Sequence, residues 1–158
     1  MVAGAQGAAG NRADHEAVAE WDKGWAYYTG ADQSCAPYGT ADKRGGNFGT
    51  LSDTAGLEST AKANEDIMAA FVTGQGALRA GSYNAGTAQA AYNAILQGIQ
   101  TTYLQASIRY AYKIDVDLAS NPPAPTGEHR GEGWGFWRIV EPYIASKDAD
   151  GAKGITDM

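Results

Sequence analysis

The chain has 158 residues, 44% of them hydrophobic and 10% aromatic, which is enough for a packed core and argues against disorder. Lys and Arg total 12 and Asp and Glu total 18, a net charge of −6 that does not favour nucleic acid or anionic lipid as a partner. No apolar run approaches the roughly 18 residues of a membrane span, so no membrane insertion is expected.

The opening MVAGAQGAAGNRAD lacks the basic and apolar regions of a signal peptide. Residues 1–12 read as a disordered Gly/Ala-rich tail. Cys35 is the only cysteine, which excludes an internal disulfide, a cysteine zinc cluster and a redox pair. Nothing near it in the sequence activates it as a nucleophile.

The first predicted helix runs from about His15 to Thr29 and stops at Gly30. Ala17, Trp21, Trp25 and Tyr28 make its apolar stripe. Glu16 and Glu20 lie one turn apart on a neighbouring row, a like-charge pair that costs stability unless a cation stands between them. The plainer reading is a solvated face with Lys23 as partner.

Residues 31–53 read as a long loop, because Pro37 and four glycines argue against a regular element. Lys43, Arg44, Gly45 and Gly46 form a weak candidate anion site within it.

A second helix is predicted from about Thr54 to Arg79. Leu57, Ala61, Asn64, Met68, Phe71, Gln75 and Leu78 are its stripe, and Glu65 flanks it. A third covers 82–119, with Gly86 and Gly98 as possible interruptions. Its stripe is Ala88, Tyr92, Ile95, Ile99, Thr102, Ala106 and Tyr110. The proline-rich run from Asn121 to Pro125 then forms a stiff connector.

The fourth predicted helix places His129, Glu132, Phe136, Val140 and Tyr143 on one stripe, at steps of three and four residues. Gly131, Gly133 and Gly135 within it each cost about 1 kcal/mol relative to alanine. Such costs call for close approach of another chain segment or for room around a ligand. Pro142 is expected to kink or end the helix. Residues 148–158 read as a polar, frayed tail, and Asp148 to Gly151 lack the remaining positions of a calcium loop.

These elements predict an all-α fold, an antiparallel four-helix bundle over residues 13–147 with a long loop between the first and second helices. With the first and last helices adjacent, Glu16 and Glu20 would face His129 and Glu132, and Glu65 is a further candidate. A buried carboxylate is costly unless paired or bound to a metal. Carboxylates with an imidazole make a hard, anionic site for ferric or ferrous iron, with manganese or zinc less suited. The competing reading has His129 and Glu132 bonding each other. The chain lacks the Glu-x-x-His pairs of di-iron oxidases, the G-x-S-x-G turn, the P-loop and the dinucleotide fingerprint, so no enzyme is expected.

Two segments, EWDKGWAYYTG continuing through PYGTADKRGGNFGT (residues 20–50) and EHRGEGWGFWRIVEPYI (residues 128–144), resemble the iron-assimilating proteins that algae secrete when starved of iron. With the helical middle they cover nearly the whole chain. The resemblance implies a secreted or periplasmic helical domain that binds iron and assists a cell-surface uptake system, without catalysis. It maps the family's acidic and histidine positions onto Glu20, Asp22, Glu128, His129 and Glu132. Two other readings stand beside it: a metal-free cell-surface interaction domain, and a metal-dependent enzyme with an open coordination position.

Overall fold

The computed structural model describes residues 14–52, 60–79 and 83–157. The tail expected at 1–12, the expected start of the second helix near Thr54, and Leu57 lie outside them. The fold is all-α. Among the described residues there are six α-helices: α1 (Asp14–Thr29), α2 (Pro37–Phe48), α3 (Lys62–Ala77), α4 (Ala85–Ala119), α5 (Gly127–Ala145) and α6 (Ala149–Thr156). No helix among them is long and apolar enough to cross a membrane. The chain divides into two compact units, Met1–Ile99 and Gln100–Met158, with the division inside α4.

The expected loop at 31–53 contains a helix. Pro37 sits at the start of α2, where its fixed φ suits a helix and its missing N–H costs nothing. Two glycines taken as breakers are contact points instead. A Cβ on Gly39 would stand 2.2 Å from the Gln33 carbonyl oxygen, and one on Gly45 would stand 2.8 Å from the Ala61 Cβ. Gly49, at φ 66°, ends the helix in the left-handed region and donates its N–H to the Gly45 carbonyl. A 3-10 turn, Gln33–Cys35, precedes α2, capped by Asp32, whose carboxylate accepts from the Ser34 N–H and hydroxyl. Those two bonds hold the Asp32 carboxyl below its usual pKa.

The first unit packs around Trp21, which is wholly buried. Its indole lies on Gly74 of α3, and its Nε1 donates to the Phe71 carbonyl at 2.8 Å. Phe71 meets Trp21 and Trp25 edge-on, at 5.8 and 5.5 Å between ring centres. Buried Asn64 is the polar hub. Its carbonyl accepts from the Tyr28 hydroxyl at 2.5 Å, and its amide donates to the Tyr38 carbonyl at 3.1 Å and the Asp42 carboxylate at 2.7 Å. The same Asp42 oxygen accepts from the Thr60 hydroxyl and the Ala61 N–H, which ties α2 to the start of α3. A buried amide with its valences filled costs little and fixes one register. Gly98 lets α4 approach α3, since a Cβ there would stand 2.6 Å from Ile67. Neither Gly86 nor Gly98 interrupts α4, which runs unbroken for 35 residues.

The expected stripes of the first and third helices match the buried faces of α1 and α4. Of the stripe expected for the second helix, Ala61, Asn64, Phe71 and Leu78 are buried, and Met68 is the member that turns outward. Ile67, Ala70 and Gly74 of α3 are buried too, while Met68 is half exposed.

In the second unit, Trp137 and Val140 of α5 and Ala152 of α6 form the core, with Tyr103, Ile144 and Ala145 packed around them. Pro142 does not end α5, which continues to Ala145. The packing of Ile144 and Ala145 outweighs the hydrogen bond that a proline cannot make. The expected frayed tail is α6. Asp148 caps it by accepting from the Gly151 N–H at 2.8 Å, and Trp137 Nε1 donates to Thr156 Oγ1 at 3.0 Å. The acidic run that faintly resembled a calcium loop is this cap.

Gly74→Ala places a methyl group within 2.0 Å of the Trp21 ring, and overpacking of this kind costs about 1–3 kcal/mol. Gly76→Ala meets nothing within 4 Å and is expected to be neutral or to gain up to about 1 kcal/mol of helix propensity. Urea unfolding midpoints check the contrast. Equal midpoints would show that Trp21 does not rest on Gly74.

Candidate functional site

Three of the five residues on the stripe expected from spacing, His129, Phe136 and Val140, are buried or partly buried on α5, and two are not. Trp137 and Val140 are buried, with Phe136 and Ile144 partly so, but Glu132 is exposed and Tyr143 is 41% exposed. The inward row runs His129, Gly133, Phe136 and Val140, so Glu132 falls beside it. Gly133 faces α4 at a tight contact: a Cβ there would stand 3.0 Å from the Cβ of Tyr110. Gly131 and Gly135 meet nothing within 4 Å, and close packing does not explain them.

His129 is held within its own unit. Its Nδ1 lies 2.6 Å from Asp117 Oδ2, and its Nε2 lies 3.4 Å from the Lys113 ammonium. The side chains of His129 and Asp117 are 25% and 16% exposed. A carboxylate can only accept here and an ammonium can only donate. The pair therefore selects the tautomer with the proton on Nδ1 and the lone pair on Nε2. Lys113 also stands 4.8 Å from the centre of the Tyr110 ring, a cation–π contact. Tyr110 stacks on Phe136 at 5.5 Å, and Phe136 contacts Tyr103 at 5.9 Å. The aromatic column thus runs from Tyr103 to the imidazole.

The connector keeps the clamp in register. Ser120 donates to the Asp117 and Pro122 carbonyls and accepts from the Ala124 N–H, closing a tight turn between Asp117 and the start of α5.

The expected bond between His129 and Glu132 is replaced by one to Asp117. Sequence reasoning stopped the third stripe at Tyr110. Two further helical steps along the same face reach Lys113 and Asp117, and that continuation was the missed signal. The other expected acids lie in the first unit. Glu16 is exposed, and Glu20 bonds Lys23 at 2.5 Å, as the plainer reading held. Glu65 is half-buried in the first turn of α3. Asp22 accepts from Gln75 at 2.8 Å. Lys43 donates to the Ser34 carbonyl. Cys35 is exposed. Among the described residues no three His, Cys, Asp or Glu side chains gather as a metal-holding group.

A second feature of this unit was not visible in the sequence. A trough of about 580 Å³ is walled by Ile114 of α4, Trp134 and Trp137 of α5 and Ile155 of α6, with Arg130 and Gly131 on its lining. Its volume falls in the range of small-molecule sites. No protein-family model matches the chain, and no curated protein or solved structure is significantly similar to it.

Burial pushes the Tyr103 phenol above its usual pKa. A raised folded-state pKa means that the unfolded chain loses its proton first. This tyrosine's contribution to stability is therefore full below about pH 10 and is lost as the pH rises through the folded-state value. Urea midpoints at pH 8 and pH 11 should fall further for the parent protein than for Tyr103→Phe. A constant difference between the two would refute the assignment.

Proposed function

We propose that this chain is an iron-binding domain that works outside the cell, taking up ferric or ferrous iron as cargo and passing it to a surface uptake system. The Asp117–His129 hydrogen bond carries the reading. A carboxylate on Nδ1 orients the ring and leaves the lone pair on Nε2, the arrangement commonly found behind metal-bound histidines. Glu132, three residues along α5 and exposed to solvent, is the carboxylate we assign as the second donor. Lys113 is the group that a cation has to displace. Its ammonium stands 3.4 Å from Nε2 on a flexible four-carbon stem. The resemblance of residues 20–50 and 128–144 to iron-assimilating proteins supports the same cargo. Glu16, Glu20 and Glu65, the other expected donors, belong to the first unit. Manganese or zinc would meet the same donors.

Calorimetric titration with iron tests the proposal. His129→Ala and Glu132→Ala are expected to weaken binding at least about tenfold, and Asp117→Asn to weaken it by roughly 10–100-fold through the lost orientation of the ring. Lys113→Met, which removes the competing charge, is expected to tighten it. Unchanged affinity and stoichiometry in both His129→Ala and Glu132→Ala would overturn the proposal.

A second reading, a metal-free interaction domain, is favoured by the apolar row Leu104, Ile108, Tyr112 and Val116, exposed at four-residue spacing along α4. Melting with and without iron separates the two, because a ligand of the native state raises the melting temperature.

A further inference from the structure

We propose that the trough in the second unit binds a single-tailed amphiphile with an anionic head group, a fatty acid being the simplest member of the class. The site is distinct from the iron reading and does not rest on it. Three helices build it: Ser107, Ala111 and Ile114 along one face of α4, Trp134 and Trp137 of α5, and Ile155 of α6. Its walls are apolar in effect as well as composition. Ser107 Oγ donates to the Tyr103 carbonyl and Trp137 Nε1 to Thr156, so these two polar atoms are already bonded within the protein. Trp134 and Ile155, each 48% exposed, offer apolar surface that water covers at a cost.

Charge selects the head group. Arg130 is the charged residue of the lining, and among the described residues no carboxylate pairs with it. Its helix neighbours Glu128 and Glu132 lie two residues away on either side, a spacing that does not face its own. A planar guanidinium at an apolar trough matches a carboxylate in two-pronged geometry while the tail lies along the indoles. The preference is diagnostic because the whole protein opposes it. A chain of net charge −6 attracts a cationic amphiphile by its overall field.

Gly131 supplies the means of testing the site. It lines the trough, and a Cβ on it meets nothing within 4 Å. A side chain at this position starts from open space at the edge of the trough, and it replaces a residue unfavourable in a helix.

The test is calorimetric titration of the full chain, in a buffer containing a metal chelator, with dodecanoate below its micelle concentration. Dodecyltrimethylammonium, with the same tail and the opposite charge, is the control. One site per chain is expected, with dodecanoate bound roughly tenfold or more tighter than the cation. Arg130→Gln should erase that preference while leaving binding of the cation unchanged. Gly131→Leu should abolish binding of both with the thermal melt preserved. If that variant melts early, Trp134→Ala, which removes an exposed wall, should weaken both amphiphiles equally. Four results would overturn the proposal: no saturable heat, a preference for the cation, dodecanoate binding indifferent to Arg130→Gln and Gly131→Leu, or self-association in sedimentation that Gly131→Leu abolishes. The last would assign the trough to a second copy of the chain.

Discussion

The close approach of α5 to α4 at Gly133 and Tyr110 is the contact on which the second unit depends. With no side chain at Gly133, the two helices come near enough for Phe136 to stack on Tyr110 and for His129 to reach Asp117. A Cβ at this position would crowd the Tyr110 Cβ at 3.0 Å. The orientation of α5 also sets the helix's other faces. Glu132 goes to solvent, Trp134 and Arg130 go to the trough, and Trp137 and Val140 go to the core.

The first unit solves a different problem with the same device. There α3 offers Gly74 as a seat for the Trp21 ring, which a Cβ at that position would meet at 2.0 Å. A buried indole needs a partner for its N–H, and the Phe71 carbonyl supplies it. Asn64 then joins three segments by filling both ends of its amide. Apolar packing makes this core stable, and the amide makes it specific, because any shift of α2 or α3 would leave buried donors unpaired.

The two proposed sites of the second unit take opposite charges from one turn of α5. His129 and Glu132 offer donors for a cation, whereas Arg130 offers a cation to an anion. Successive residues of a helix point about 100° apart, so the two chemistries occupy different faces of one turn. Lys113 belongs to the first of them. Its ammonium lies between the imidazole and the Tyr110 ring and holds the clamp together when no other cation is present.

The all-α class, the extents of α1 and α4 and their buried faces were legible in the sequence, because regular spacing of Trp, Tyr and Ile along a helix is a local property. Some features depended on partners distant in the chain and were not legible. Gly39 and Gly45 read as loop residues and proved to be contact points, since the value of a missing side chain depends on what stands opposite. Pro142 read as a stop, but packing beyond it outweighed its local preference. Spacing alone placed Glu132 inward beside His129. In the structure Gly133 meets Tyr110 of α4, and the imidazole bonds Asp117 instead. Periodicity defines a stripe only to within part of a residue's rotation, and the facing helix chooses where within that range the buried row falls.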